Sequence, residues 1–308
     1  MSSYSDSDIA MLMSMGFDRN QSIRALNVCG NVERAIDSLL SGRDCGGSGI
    51  VGSGNANEGT NCVHSNISQY SDASLGRSAC TAIALTMACN LLKETTAAAT
   101  TIHNPEGLIS SMFLESSIWE GISLHSVLRG SRKSDGVEHS SVDELLHACE
   151  SYSMNVDDGD DLNNNYNASK NILSTLQQIG EPHQGIISNS SDHLLGLEAI
   201  LNLCQDRQSY IAVVITKPPE TVLVLLPPRV SSSSSYILLD SHPRSQLSPH
   251  CPAGSYALIH PTLTGLVASL KQIFPVTDLG DDVPEMMSMM YNSFECIKFK
   301  RRERCVSN

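Results

Sequence analysis

"SYIAVVITKPPETVLVLLP", residues 209–227, decides the fold of this chain. Its two halves, 209–216 and 221–227, are rich in β-branched residues and flank Lys217-Pro-Pro-Glu220, so they read as a hairpin whose unbroken apolar character demands burial on both faces. Toward the C terminus, "SSYILLDSH" (234–242) and "SYALIH" (255–260) are two further strands. After Pro261, Leu263, Leu266, Val267, Leu270 and Ile273 give residues 262–273 one apolar helical side. Toward the N terminus, "SLGRSACTAIALTMACNLL" (74–92) reads as a wholly buried helix from about 78 to 92. Helical segments near 107–130 and 140–150, an asparagine-rich break at 155–169, and helices near 170–179 and 192–205 fill the interval. Helices first and a mostly antiparallel sheet later define an α+β domain.

Residues 1–42 have a different character. Ser5-Asp6 caps a run with Ile9, Leu12, Met13 and Met15; "MGF" at 15–17 breaks it. A second run carries Ile23, Ala25, Leu26 and Val28, and a third, after Gly30 and Asn31, carries Val32, Ala35, Ile36, Leu39 and Leu40. This predicts a small three-helix bundle. Residues 43–66, rich in glycine, serine and asparagine and without any period, read as a flexible linker, which leaves 67–308 as the larger domain.

Charge and cysteine usage exclude several functions. Lysine and arginine number 20 against 33 acidic residues, and the formal charge of −13 opposes phosphate backbones and anionic lipid, so neither nucleic acid nor membrane is an expected partner. The apolar stretches fall short of the ~20 residues that cross a bilayer. The 10 cysteines are scattered without a CxxC pair or a signal peptide, which points to a reducing intracellular compartment, cytoplasmic or nuclear, and gives paired-thiol metal binding no spacing.

One constellation carries chemistry. Cys80 opens the buried helix, where unpaired backbone N–H groups and the helix dipole favour a thiolate. Asp240 and His242, two apart at the end of a strand, are expected on one face, so that the carboxylate fixes the imidazole's tautomer and His242 serves as base. Gln69, in the loop entering the Cys80 helix, can donate with the Cys80 amide to an oxyanion. Each residue also has a plainer reading: a core cysteine, a surface turn, a loop glutamine. His260 is an alternative base without an acid two residues away; His250 and Cys251 lie in a loop that can rim the cleft. Cys89 and Trp119 read as core, and the basic run at 298–304 as a charged strand end in solvent.

Residues 5–42, with "MGF", "GNVERAI" and the terminal "LL", resemble a ubiquitin-associated (UBA) domain. That resemblance implies a ubiquitin-binding patch at Met15, Gly16, Phe17, Leu39 and Leu40. The remainder resembles the papain-fold deubiquitinases of herpesvirus large tegument proteins and their cellular and bacterial relatives. The resemblance is carried by Gln69, Cys80 at a helix start, "LLDSHPR" and "GSYALIHPTLTGLVASLKQIF", in that order. It implies a papain-like cysteine protease with Cys80, His242, Asp240 and Gln69 in catalytic roles, acting on ubiquitin and polyubiquitin without metal or organic cofactor. A catalytically silent ubiquitin-binding adaptor and a protease for another ubiquitin-like modifier are the alternatives.

Overall fold

A computed structural model describes residues 8–9, 12, 22–23, 26, 60–72, 74–94, 105–130, 140–155, 164–188, 194–231, 234–248, 253–280 and 282–303. The chain divides into two compact units, Met1–Asn55 and Ala56–Asn308. In the first unit Ile9, Leu12 and Leu26 are helical and buried, on the apolar positions assigned from sequence. Met15, Gly16, Phe17, Leu39 and Leu40 lie outside the described residues.

The second unit is built on an eight-stranded sheet. Its strands are β1 (Asn61–His64), β2 (Leu176–Gln178), β3 (His183–Ile186), β4 (Ile211–Lys217), β5 (Glu220–Leu226), β6 (Tyr236–Asp240), β7 (Tyr256–His260) and β8 (Ser293–Arg301). They lie in the order β1-β7-β6-β5-β4-β8-β2, with β3 also paired to β8, and among the described residues these strand pairs are antiparallel. Helices α1 (Cys80–Glu94), α2 (Ser111–Gly130), α3 (Val142–Asn155) and α4 (Asn164–Thr175) cover one face; α5 (Leu197–Cys204) and α6 (Leu263–Ile273) cover the other. A short helix, α7 (Glu285–Tyr291), precedes β8.

The central hairpin explains this layering. Ala212, Val214, Leu223 and Leu225 pack under α1–α4, while Val213, Ile215, Val222 and Val224 pack under α5 and α6. Alternate residues thus feed separate cores, as the period of two requires. The turn is tighter than expected from sequence: Lys217 pairs with Glu220, leaving Pro218-Pro219, joined by a cis peptide, as the connection. Helix α1 is buried from Cys80 through Cys89. Each of its enclosed leucines and isoleucines contributes about 1.5–3 kcal/mol over an exposed position. Gly121 permits the close approach of α2, because a Cβ there would stand 2.6 Å from the Ile83 Cα.

Several sequence expectations are corrected. The linker assigned to 43–66 runs too far, since Asn61–His64 pairs with β7 from Tyr256 to Ile259. The break at 155–169 ends early because α4 begins at Asn164, and residues 176–178, expected to be helical, form β2 against β8. The basic run is a strand end only in part: β8 runs on to Arg301, and Arg302 and Glu303 beyond it are exposed. Lys298 pairs with Val213 and Phe299 with Ala212 inside the sheet. Trp119 is 44% exposed, for α2 turns Leu114, Ile118 and Ile122 inward and Trp119 falls one position off that stripe. Among the described residues no helix is long and apolar enough to cross a membrane.

Candidate active site

Cys80 is the first residue of α1; the Ala79 carbonyl accepts from the Ile83 amide at 2.9 Å, closing the first helical turn beneath it. The helix start is pinned to the hairpin through Thr81, whose hydroxyl lies 3.1 Å from that of Thr221, itself 3.2 Å from the Thr216 hydroxyl. As a result the Cys80 Sγ lies 3.9 Å from the Pro219 carbonyl oxygen, at the tip of the β4–β5 hairpin. Cys80 is only 1% exposed.

The structure brings Asp240 and His242 together, though by a different route from the one read in the sequence. Strand β6 ends at Asp240, so alternation along a strand does not align the pair. Asp240 instead accepts at Oδ1 from the His242 backbone N–H, 2.8 Å, and from His242 Nδ1, 2.7 Å. Such a carboxylate-to-amide turn two residues on is a favoured aspartate conformation. It swings the imidazole over the end of the sheet toward α1, near enough for the Cys80 side chain to act with Asp240 in raising the imidazole pKa. With Nδ1 engaged by Asp240, Nε2 is the ring nitrogen left for the sulfur. The Tyr70 ring packs edge-on to the imidazole, centroids 5.9 Å apart.

Asp240 is wholly buried, and two more donors complete its shell. Oδ2 accepts from Arg244 Nε at 3.1 Å and from the Tyr256 hydroxyl at 3.1 Å; Tyr256 is the cross-strand partner of Asp240. A terminal nitrogen of Arg244 donates to Glu220 at 2.7 Å. Neither Arg244 nor Tyr256 was singled out from sequence, yet both were visible: one inside "LLDSHPR", the other first in the apolar run of "SYALIH".

Gln69 comes to the same place. Its backbone N–H donates to the Ser241 carbonyl at 3.0 Å, and its Oε1 accepts from the Ser241 hydroxyl at 2.9 Å. Asp72 shapes the loop onward to Cys80 by accepting at Oδ1 from Ser74 N, Ser74 Oγ and Leu75 N. Gly76 then passes so close to the Gln69 carbonyl that a Cβ would lie 1.6 Å from its oxygen.

Burial alone would raise the Asp240 carboxyl pKa. The charge of Arg244, followed by the charge and hydrogen bonds of His242, overrides it and holds the carboxyl well below its usual range. Burial would likewise lower the His242 pKa. The Asp240 charge and hydrogen bond, then Cys80 and Glu220, lift it well above the ordinary value of 6.5, so the cleft favours an imidazolium. The other buried thiols are different: desolvation pushes Cys89, Cys149 and Cys204 up to about 11. They suit packing and oppose nucleophilic use.

His260 does not join this group. It faces Tyr236 across β6 and β7, at the opposite end of both strands from Asp240, and burial lowers its pKa to about 4. Four residues of strand separate the two positions, roughly 13 Å. His250 and Cys251 lie outside the described residues. Among the described residues no group of three or more His, Cys, Asp or Glu is placed to hold a metal ion.

Residues 4–39 match the UBA/TS-N domain family, so the chain carries a UBA domain at its N terminus. No curated protein matches the chain. In three dimensions the chain is similar to the ubiquitin-specific protease encoded by murine cytomegalovirus tegument protein M48, solved in complex with a ubiquitin-based suicide substrate. The two share 11% identity over 80% of this chain and 90% of that one, with a TM-score of 0.49.

Proposed function

We propose that this protein is a cysteine-dependent deubiquitinase with a papain-like catalytic domain. The observation that carries the reading is the series Asp240, His242, Cys80, in which the acid is hydrogen-bonded to the imidazole and the thiol acts on it, assembled from a strand end and a helix start 160 residues apart in sequence. A buried acid bonded to one imidazole nitrogen and a thiol at the other is the arrangement that generates a nucleophile by proton transfer. The UBA domain supplies the reason to name ubiquitin as the substrate.

In this mechanism the Cys80 thiolate attacks the carbonyl carbon after ubiquitin's C-terminal glycine. The electron pair moves onto the carbonyl oxygen, which the Gln69 side-chain amide and the Cys80 N–H stabilise. As the C–N bond breaks, His242 gives its proton to the departing lysine amine, leaving a thioester. A water then gives a proton to His242 and attacks the thioester carbon; the released sulfur recovers the ion pair with His242. Asp240 holds the imidazole upright throughout and stabilises its positive charge.

Incubation with ubiquitin bearing a C-terminal electrophile tests the reading. Wild type forms a covalent adduct and Cys80→Ala forms none. An adduct that survives the substitution overturns the assignment of Cys80 as nucleophile, and a wild type inert to this and related probes overturns the reading in favour of a ubiquitin-binding adaptor. Parallel probes built on other ubiquitin-like modifiers decide which modifier is the substrate.

A further inference from the structure

Helix α7, "EMMSMMY", has no buried residue. Met286, Met287, Met290 and Tyr291 are 74%, 52%, 70% and 62% exposed. One exposed apolar side chain is ordinary; four on a single short helix, with Val276 also 53% exposed nearby in sequence, form a patch of the kind that marks protein contacts. Methionine's unbranched, polarisable side chain suits such a surface.

The helix is firmly held. Asn292, directly after it, donates from its side-chain amide to the Thr277 carbonyl at 3.0 Å and the Ser288 carbonyl at 2.9 Å, and accepts from the Thr277 amide at 2.7 Å. Ile187 N–H donates to the Asn292 carbonyl at 3.0 Å. Its exposed methionines therefore belong to an ordered surface rather than to a loose strap.

Its place in the fold gives that surface a use. Strand β8 starts at Ser293 and pairs Glu295 with Thr216, so α7 meets the sheet at the end where the Pro218-Pro219 turn faces Cys80. Two strand spacings, roughly 10 Å, separate β8 from β5. A protein whose extended tail reaches the sulfur past the Pro218-Pro219 turn brings its folded body to this end of the sheet. The charge is also one-sided: residues 272–297 contain no Lys, Arg or His, while Asp278, Asp282 and Glu285, which precede the methionines in sequence, are exposed. Such a face complements an apolar patch ringed by basic side chains.

We propose that α7 is a docking surface for the globular body of the ubiquitin whose tail occupies the Cys80 cleft, Met286 and Met290 contacting its apolar patch and Asp282 and Glu285 its basic rim. The inference rests on the deubiquitinase reading and adds where the substrate sits.

The test uses the full chain carrying Met286→Glu or Met290→Glu, with Asp282→Lys/Glu285→Lys as a second variant. Three reagents are compared: the ubiquitin electrophile, a short peptide electrophile bearing only ubiquitin's last residues, and iodoacetamide. Reaction with the ubiquitin probe is expected to slow at least about tenfold in each variant, with reaction toward the peptide and iodoacetamide unchanged. Equal rates with the ubiquitin probe overturn the docking surface while leaving the deubiquitinase reading intact. So does an equal loss with all three reagents, which would make α7 a support of the site. A wild type that iodoacetamide modifies but the ubiquitin probe does not is the separate failure of the parent reading, and the surface falls with it. Sedimentation of wild type and Met286→Glu adds one more arm: a wild-type dimer dispersed by the substitution, with probe rate unaffected, assigns α7 to a second copy and overturns the proposal.

Discussion

Arg244 grips Asp240 from the side opposite His242, Nε to Oδ2 at 3.1 Å, and its other end holds Glu220 at 2.7 Å, one residue beyond the Pro219 carbonyl that faces the Cys80 sulfur. One guanidinium therefore ties the acid of the site to the turn beside its nucleophile. It also supplies the positive charge that lets a fully buried carboxylate remain ionised.

Arg244→Gln removes that charge and leaves the burial. The Asp240 pKa is depressed in the folded state, so its contribution to stability is present above the unfolded value of 3.8 and is lost as the pH falls below it. Without Arg244 the depression shrinks, and acid unfolding should begin at higher pH. Breaking the buried pair should cost about 3–5 kcal/mol in urea titrations at neutral pH. A merely structural Arg244 would leave the pH dependence of Cys80 alkylation unmoved; a positioning role shifts it, with Arg244→Lys recovering only part because an ammonium cannot reproduce the planar two-ended grip.

The imidazolium gives a second prediction. The Asp240 charge is the largest influence raising the His242 pKa against its burial, so Asp240→Asn should lower that pKa. The alkaline limb of the kcat/KM profile, where His242 loses the proton it must give to the leaving amine, should move to lower pH. His242→Ala should abolish the limb along with turnover. A profile superimposable on wild type in Asp240→Asn would remove Asp240 from the mechanism.

Thiol reactivity should separate Cys80 from its neighbours. At about pH 6 an ordinary thiol is almost wholly protonated, and Cys89, Cys149, Cys204 and Cys296 are pushed further from ionisation by burial. Brief iodoacetamide treatment at that pH, read by peptide mass spectrometry, should therefore label Cys80 ahead of those four. Labelling of Cys80 at the pace of an ordinary thiol would mean that no ion pair with His242 forms.

The central hairpin, β6, β7, α1 and α6 were legible because each bears its own signal: unbroken β-branched runs, or an apolar stripe at helical spacing. The edges were not. Asn61–His64 is too short to carry a pattern of its own and becomes a strand where β7 offers it partners, as does Leu176–Gln178 against β8. Strand β8 had a signal that the lysines obscured: Phe294 and Cys296 enter one core while Ile297 and Phe299 enter the other. At the site, the residue types were readable and the geometry was not. Pairing of Asp240 with His242 was expected from strand alternation, whereas the side-chain-to-backbone turn produces it. Arg244 and Tyr256 escaped notice because their roles depend on register across β5, β6 and β7, which no local pattern announces.

Gly76 offers the most discriminating substitution outside the reacting groups. A methyl at this position would lie 1.6 Å from the Gln69 carbonyl oxygen and 2.8 Å from its carbon, both backbone atoms, so the loop rather than a flexible side chain must yield. The displacement would act on the residue whose amide and side chain are anchored to Ser241. Gly76→Ala should accordingly lower kcat with little change in KM, as expected when a transition-state donor is misplaced. Gln69→Ala sets the ceiling for that effect, on the order of 10²–10³ in kcat for loss of one oxyanion donor. If Gly76 acts through Gln69, the double variant should be no slower than Gln69→Ala alone, a non-additivity that independent defects would not produce. Fully multiplicative losses in kcat would show that Gly76 serves the loop in some other way and that the Gln69 carbonyl contact is incidental to catalysis.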